Sequence, residues 1–535
     1  MATIEFRGKG LVFGAHHGIP IRALVLDKQA SIIKHDKDPE NFIVEGKQLD
    51  TLKALTSRFA SGISVIYSVP PYNTGADGWK YDDDIQTPLT VDWAKGGPVG
   101  RDDPDRHDKW LSWMTPRLRL MHELLADHGV LFISIDDNEG FRLKLLLDEI
   151  FGESNALPTL VWQKRYSVPS DVKGIGFTHE NILVYRKSER FVSQLVPQTA
   201  EQLERYNHVD PDGRRWKSAD YTCRWTKQQR PNLYYPIRNP FTKKPVLPKE
   251  TRVWAYSKEE TAKNIASDLL WWGKDGTNSV PAFKNYAETL SDGMVPASLL
   301  LHEQVGHTQT AANELEEALP GVKRDGKPLG LIRQLLWIAG EKEGIVLFPF
   351  ASAGEGPHAV ALANMANDEG GGANRKFVVI VREDRTDDIA VNRLRAVDKN
   401  VVPIPFGYMK LGAAVDAETL LRGNTLPSFE ELARHVFFSA TGIALAGKIA
   451  LIPTGLIGSV DNVDIHLLYK HNLDYLKSND AMLSATKLKE IVDAREAGHR
   501  SIVFAAGKYL PHQDLVSESV EFCAFPAAIY RALVR

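Results

Sequence analysis

The chain predicts a doubly wound α/β fold carrying an inserted domain, and three observations carry that expectation. Apolar strand-like runs alternate with helix-periodic segments between Asn41 and Ile150. The same alternation resumes near residue 326 and runs to Val381. Between them, roughly over 190–300, apolar periodicity weakens and Trp, Tyr, Lys, Arg and Pro become dense. Strands that alternate with helices are covered on both faces, which argues for a mainly parallel sheet.

The elements follow in order. Residues 1–40 read as an irregular arm with short strands. Asn41–Gly46 is a strand ending at glycine, and Leu49, Leu52, Leu55 and Phe59 then recur at helical spacing. Ser64–Tyr67 is the next buried strand. Residues 74–104, rich in Asp, Gly and Pro, read as a loop. Lys109–His128 is an amphipathic helix with Gly129 at its C-cap. Val130–Ile135 is a buried strand, and a helix runs from about Glu139 to Ile150. Past the insert, Leu329–Ile338 and His358–Ala366 are helices, and Ile345–Phe348 and Phe377–Val381 are strands. From about residue 395 the pattern breaks into short strands and helices. The expected domains are an arm over 1–40, a first core half over 41–190, an insert over 191–305, a second core half over 306–392, and a small α+β domain over 393–535.

Composition narrows the class. With 535 residues, 43% hydrophobic and 25% charged, the chain is an ordinary globular protein large enough for several domains. No apolar run approaches the ~20 residues of a membrane span, and the start Met1–Arg7 lacks a basic-then-apolar leader layout. A cytoplasmic protein with no membrane partner is expected. Cys223 and Cys523 stand alone, so neither a disulfide framework nor a zinc site is indicated. His16, His17 and His107 show no ligand partners at useful spacing, Asp136-Asp137 could form a metal pair but reads first as a cap of the following helix, and no metal is expected. A net charge of -3 means that any nucleic-acid contact must come from a local basic surface.

One motif organises the rest. Val69-Pro70-Pro71-Tyr72-Asn73-Thr74-Gly75 follows directly on the apolar run Ile63–Tyr67. It resembles the Asp-Pro-Pro-Tyr catalytic motif of amino-directed DNA methyltransferases, with valine at the first place. Further matching stretches are Phe132–Glu139, His179–Tyr185, Val305–Thr308, Lys327-Pro328 and Asn374–Phe377. With these, the chain resembles the Mod subunit of type III restriction-modification systems, a β-class adenine methyltransferase family, over about residues 40–390. The resemblance implies a Rossmann-like core in permuted order, with the catalytic motif ahead of the cofactor loop and target recognition between them.

The resemblance also assigns roles. An exocyclic amine is a weak nucleophile, and the family activates it with the Asp or Asn side chain and the first proline's carbonyl while the aromatic ring stacks on the flipped base. Here Pro70 keeps its carbonyl and Tyr72 its ring, but Val69 offers no acceptor; Ser68 or a nearby carboxylate is the alternative donor of that role. S-adenosylmethionine would lie over a loop reading Asp-x-Phe-x-Gly-x-Gly. This chain has Phe348-Pro349-Phe350-Ala351-Ser352-Ala353-Gly354-Glu355-Gly356. Phe350 and Gly354 fit, whereas Phe348 and Ser352 depart, and Glu355 brings a negative charge near the cofactor's carboxylate. Gly46-Lys47-Gln48-Leu49 stands where relatives read Gly-Asp-Asn-Leu, and Glu383 is placed to hold the ribose hydroxyls.

Residues 203–258 interleave cations and aromatics. Arg214, Arg215, Lys217, Arg224, Trp225, Lys227, Arg230, Arg238, Lys243 and Lys244 are the candidate DNA contacts, since Lys and Arg neutralise phosphates, Arg reads guanine edges and aromatics stack on bases. The expected function is a Mod-like subunit of a restriction-modification or phage-defence system that binds double-stranded DNA. Its own methyl transfer is lost or impaired, as in a pseudoenzyme. Its expected partners are a second methyltransferase chain, as homodimer or heterodimer, and a restriction helicase-nuclease. Two other readings stay open: a working adenine-N6 methyltransferase, and a scaffold whose insert binds protein.

Overall fold

The computed structural model describes residues 2–33, 39–76, 79–81, 85, 87–168, 174–196, 204–289, 294–350, 353–366, 373–382, 389–400, 404–414, 426–445, 447 and 449–524. These divide into two compact units, 1–193 with 297–535, and 194–296.

The first unit is built on one ten-stranded sheet. Its strands are β1 (Arg22–Ile32), β2 (Phe42–Glu45), β3 (Ile63–Ser68), β4 (Leu125–Ile135), β5 (Ala156–Gln163), β6 (His179–Arg186), β7 (Leu299–Leu300), β8 (Ile345–Phe348), β9 (Lys376–Val381) and β10 (Phe406–Ala414). In space they run β1-β10-β2-β9-β8-β3-β4-β6-β5-β7. Every pairing from β10 through β2, β9, β8 and β3 to β4 is parallel, while β6 runs antiparallel to both β4 and β5. All six residues of β3 are buried, as a central parallel strand requires.

Helices α1 (Gln48–Phe59), α2 (Arg106–Leu124) and α3 (Gly140–Phe151) share one core with the sheet, in which Leu52, Leu118 and Leu147 meet Ile66, Leu131 and Val378. Helices α4 (Thr308–Ala318), α5 (Leu329–Ala339), α6 (Glu355–Met365) and α7 (Ile389–Asn400) accompany the second half of the sheet. Helix α8 (Phe429–Thr441) packs Leu432 and Val436 against Ile465 and Phe504 of a smaller sheet. That sheet has four strands, β11 (Leu456–Val460), β12 (Val463–Leu467), β13 (Arg500–Ala505) and β14 (Val520–Ala524), paired in that order.

Several elements differ from the sequence reading. Helix α2 ends at Leu124, and Leu125 is already extended. Gly129 therefore lies inside β4 and caps nothing. A side chain there would sit 2.8–2.9 Å from Leu125 Cδ1, the Ala126 carbonyl and the Ile63 carbonyl, so close strand approach demands the glycine. The 74–104 loop contains a helix, Pro88–Lys95, started by a capping box between Thr87 and Thr90 with proline at its first turn. The N-terminal segment read as an irregular arm supplies β1. Residues 406–414 return to the main sheet between β1 and β2.

The second unit has its own antiparallel sheet, ordered Leu270–Trp271, Ala282–Tyr286, Arg215–Asp220, His208–Val209. Tyr221, Ile237, Trp254, Leu270 and Trp272 form its core. Its two ends meet where Val196 and Met294 exchange backbone hydrogen bonds of 2.8 Å in both directions. Among the described residues no helix is long and apolar enough to cross a membrane.

One buried and two half-buried histidines tie stability to pH. Burial holds His435 of α8 down to about 3, reinforced by the charges of Lys53 and Arg434 against one opposing backbone hydrogen bond. Burial likewise holds His122 to about 4, with Lys187 and Arg119 adding to it, and His358 to about 4, with Arg393 adding to it. The unfolded chain takes up these protons near 6.5 and the folded chain does not, so the stabilisation is full above 6.5 and is lost as pH falls toward 4. The thermal midpoint should drop between pH 6.5 and 4.5, and His435→Gln should flatten that slope. A pH series of melting curves on both proteins checks it.

Candidate active site

β8 and β3 are parallel neighbours, but the chain leaves them in opposite directions: β3 leads through α2 to β4, and β8 leads through α6 to β9. Order reverses between them, and in open α/β sheets the ligand crevice lies there, past the carboxyl ends of the strands. A pocket occupies that position. It is lined by Tyr67 near the end of β3 and Val69 just past it, Phe348 and Phe350 around the end of β8, and Gly354, Glu355, Gly356 and Pro357 at the start of α6. Its free volume is ≈ 10 Å³, about the room a single water needs.

The turn after β3 is fastened on three sides. The Pro71 carbonyl accepts the Trp110 indole N–H at 2.7 Å. Asn73 adopts a left-handed backbone, φ 59, and is buried. Its side chain donates to Glu139 Oε1 at 2.5 Å and accepts the Trp79 indole N–H at 3.0 Å, which holds an asparagine where few other residues would rest. Glu139 also meets His107 Nδ1. Burial pushes the Glu139 carboxyl up to about 7 against its contact with Asn73, and burial with Arg142 and Arg106 pulls His107 down to about 4.

Tyr72 is the third fastening. Its hydroxyl donates to Glu180 Oε1 at 2.6 Å and accepts from the Lys327 ammonium at 2.9 Å. Lys327 also pairs directly with Glu180, and Lys164 stands 3.6 Å from the other carboxylate oxygen. The Lys327 ammonium lies 5.3 Å from the Tyr72 ring centroid and 5.0 Å from that of Trp162. Burial and the Glu180 charge push the Tyr72 hydroxyl well above its ordinary range, so it stays protonated. Burial alone would raise Glu180, but Lys327, the Tyr72 hydroxyl and Lys164 outweigh it and hold the carboxyl below its usual range. A cavity of ≈ 260 Å³ opens beside this cluster, lined by Asp136, Asp137, Asn138, Lys164, Phe177, His179 and Glu180. That is just under the ~300 Å³ at which drug-sized ligand pockets begin.

The cofactor loop is equally specific in its packing. Gly354 has φ 70, and a side chain there would lie 2.7 Å from Ala390 Cα; one at Gly356 would lie 2.5 Å from the Phe348 ring. Gly46 is also obligatory, since a side chain would come within 2.4 Å of Leu411, but it does not line the pocket. Gln48 donates to the Pro349 carbonyl at 2.5 Å and accepts from Arg117 Nε at 2.8 Å, so it clamps the loop instead of facing a ligand. Glu355 is buried and accepts the Ala353 N–H at 2.8 Å and the Lys327 N–H at 3.2 Å. Ser352 and Glu383 lie outside the described residues.

The structure thus gathers Val69, Phe350, Gly354 and Glu355 at one pocket, with Tyr72 in the cluster beside the second cavity. Glu180 and Lys327 are the residues that sequence reasoning underrated; their signal was their presence in the matching stretches. Of the groups that S-adenosylmethionine would meet in the described lining, Phe348 stands where an acid was expected, and the Ala353 and Lys327 N–H groups are held by Glu355.

In the second unit Arg214, Arg215, Arg224, Trp225, Lys227, Arg230, Arg238, Lys243 and Lys244 are exposed, and Lys217 is half-buried. Arg230 lies 5.4 Å over the exposed Trp225 ring, and Arg238, Lys243 and Lys244 share a hairpin whose turn holds Lys243 at φ 61. Trp216, Tyr221 and Trp254 belong to the interior of this unit, and Arg252 is committed to Asp220 and the Thr222 carbonyl. Elsewhere the fold brings Glu123 to His16 and His17, the one grouping of metal-ligating type among the described residues. Glu123 is held low there by the His16 hydrogen bond and the Lys53 charge, against burial, and it serves as the counter-ion of a buried cation.

The sequence profile of a family described as DNA methylase matches residues 63–368, more than half of the chain. The chain belongs to that family. The chain is 30% identical over 395 residues to the StyLTI Mod subunit, a type III restriction-modification enzyme of Salmonella typhimurium, covering 70% of this chain and 57% of the relative. It is 27% identical to the EcoP15I Mod subunit of Escherichia coli, covering 69% and 62%. It is 28% identical to the type II methyltransferase M.KpnI of Klebsiella pneumoniae, covering 68% and 89%. The chain spans about three fifths of the length of the Mod subunits it matches.

Removing Lys327 leaves the buried Glu180 charge with Lys164 alone as its cation. Lys327→Met should destabilise the first unit by about 3 kcal/mol, and adding Glu180→Gln should recover part of that loss. Urea unfolding of the two variants measures both.

Proposed function

We propose that this chain is a DNA-recognising subunit of a restriction-modification or phage-defence system, a Mod-like methylase whose own methyl transfer is impaired. The observation that carries the reading is the pocket between β3 and β8. It keeps the fold's geometry, yet Val69 and Phe348 present hydrocarbon where the family carries polar side chains. Attack by an exocyclic amine requires a hydrogen-bond acceptor to draw its lone pair out of the ring. Without one at position 69, a loss of about 10²–10³ in rate is expected.

What remains suits base reception. Tyr72 offers a ring, not a nucleophile or base, because Glu180 and Lys327 fix its hydroxyl. The cavity beside it would accept a flipped base through its polar rim of Asp136, Asn138 and Lys164. The second unit supplies cations for phosphate. Such a chain would work in the cytoplasm on double-stranded DNA, paired with a second methyltransferase chain and, within a restriction complex, with a helicase-nuclease. One observation favours a working enzyme instead: Asp136 lines the larger cavity, and burial raises its carboxyl, with the Glu180 charge adding to it against Asn138 and Lys164.

Calorimetry with S-adenosylmethionine decides between them. No heat at sub-millimolar ligand is expected, and micromolar binding with methyl transfer would establish the working enzyme. Val69→Asp alone should not restore transfer. For the recognition half, DNA affinity measured by anisotropy should fall steeply with salt. Arg224→Ala, Arg230→Ala and Lys243→Ala should each reduce the logarithmic salt slope by about 1; a chain that binds no DNA at low salt would overturn the proposal.

A further inference from the structure

We infer that Glu355 is a resident carboxylate that closes the cofactor pocket from within, by holding the backbone donors that an incoming amino-acid carboxylate would need. The inference rests on the reading of an impaired methylase and names the residue that shuts the site.

Two segments converge on this side chain. Ala353, just ahead of α6, donates its N–H to Oε2 at 2.8 Å. Lys327, just ahead of α5, donates its N–H to Oε1 at 3.2 Å. Backbone N–H groups that converge beside a helix start form an anion-binding nest, and here both oxygens of one carboxylate satisfy it. Glu355 is only 5% exposed. Arg393, 1% exposed, anchors the same turn by donating to the Ala353 carbonyl at 3.1 Å, and Glu355 is the foremost of the charges that oppose the lowering of its guanidinium by burial. The anion in this nest is therefore part of the fold. Glu355 also lines the pocket that Val69, Phe350 and Pro357 share, where ≈ 10 Å³ remains. A ligand with an α-amino-acid end would have to break both N–H bonds and bring a second carboxylate beside the first. A neutral side chain at this position would leave the donors facing the pocket.

The ligand class is thus the adenosyl amino acids, S-adenosylmethionine and S-adenosylhomocysteine, and the feature excluded is their carboxylate. The test titrates the full chain, Glu355→Ala and Glu355→Gln with S-adenosylhomocysteine and with methylthioadenosine, which shares the nucleoside but lacks the amino-acid end. Glu355→Ala should gain at least about tenfold in affinity for S-adenosylhomocysteine with no gain for methylthioadenosine. Glu355→Gln keeps the packing, loses the charge and frees one donor, so it should gain less; it serves if the alanine variant unfolds. Equal gains for both ligands would show that only space was opened and would overturn the inference. No gain in a folded variant would also overturn it, while leaving the impaired-methylase reading intact. Micromolar binding by the unmodified chain would overturn both.

Discussion

The parallel pairing of β8 with β3 is the constraint on which the rest depends. Val346 and Leu347 sit opposite Val65 and Ile66, joining two stretches that the whole insert separates in sequence. A slip of one residue would turn every side chain of these buried strands to the other face, and both pocket walls would dissolve. With the register set, Val69 and the start of α6 are held across one crevice. Backbone ladders and apolar burial accomplish this, and both are indifferent to whether the pocket does chemistry. That indifference is how the same architecture can hold Val69 and Phe348 in the pocket walls without disturbing the fold.

Many of the polar residues around the crevice bind one another. Tyr72, Glu180 and Lys327 form a closed set; Asn73, Glu139 and Trp79 form another; Glu355 satisfies two backbone donors. Lys327 belongs to two of these, its ammonium to the first and its backbone N–H to the third. In a low-dielectric interior each such set is stable only when complete, so the turn after β3, the start of α5 and the start of α6 are mechanically linked.

The sequence made the α/β core legible because its strands are nearly unbroken apolar runs, such as Ile63–Ser68, and its helices keep clean apolar spacing, as in Gln48–Phe59. Helix Pro88–Lys95 was hidden by a polar, proline-bearing context, although Thr87-Pro88 with Thr90 is a local start signal. Gly129 misled because a glycine that ends a helix and one that admits a neighbouring strand look alike in one dimension. At the site, the motif positions could be read as departures from a pattern. The pairing of Glu180 with Lys327, and of Glu355 with backbone from another segment, could not, because contacts at long sequence separation leave no periodicity. In the second unit, burial sorted the aromatics: Trp225 is exposed, whereas Trp216 and Trp254 are interior, and composition alone cannot make that distinction.

The bridge between Val196 and Met294 has a consequence for how such proteins diversify. A module whose entry and exit strands clasp each other at the neck, and whose core of Tyr221, Trp254 and Trp272 is its own, asks little of its host beyond two nearby attachment points. Recombination can therefore exchange this segment whole in one event without rewriting the strand pairings of the ten-stranded platform.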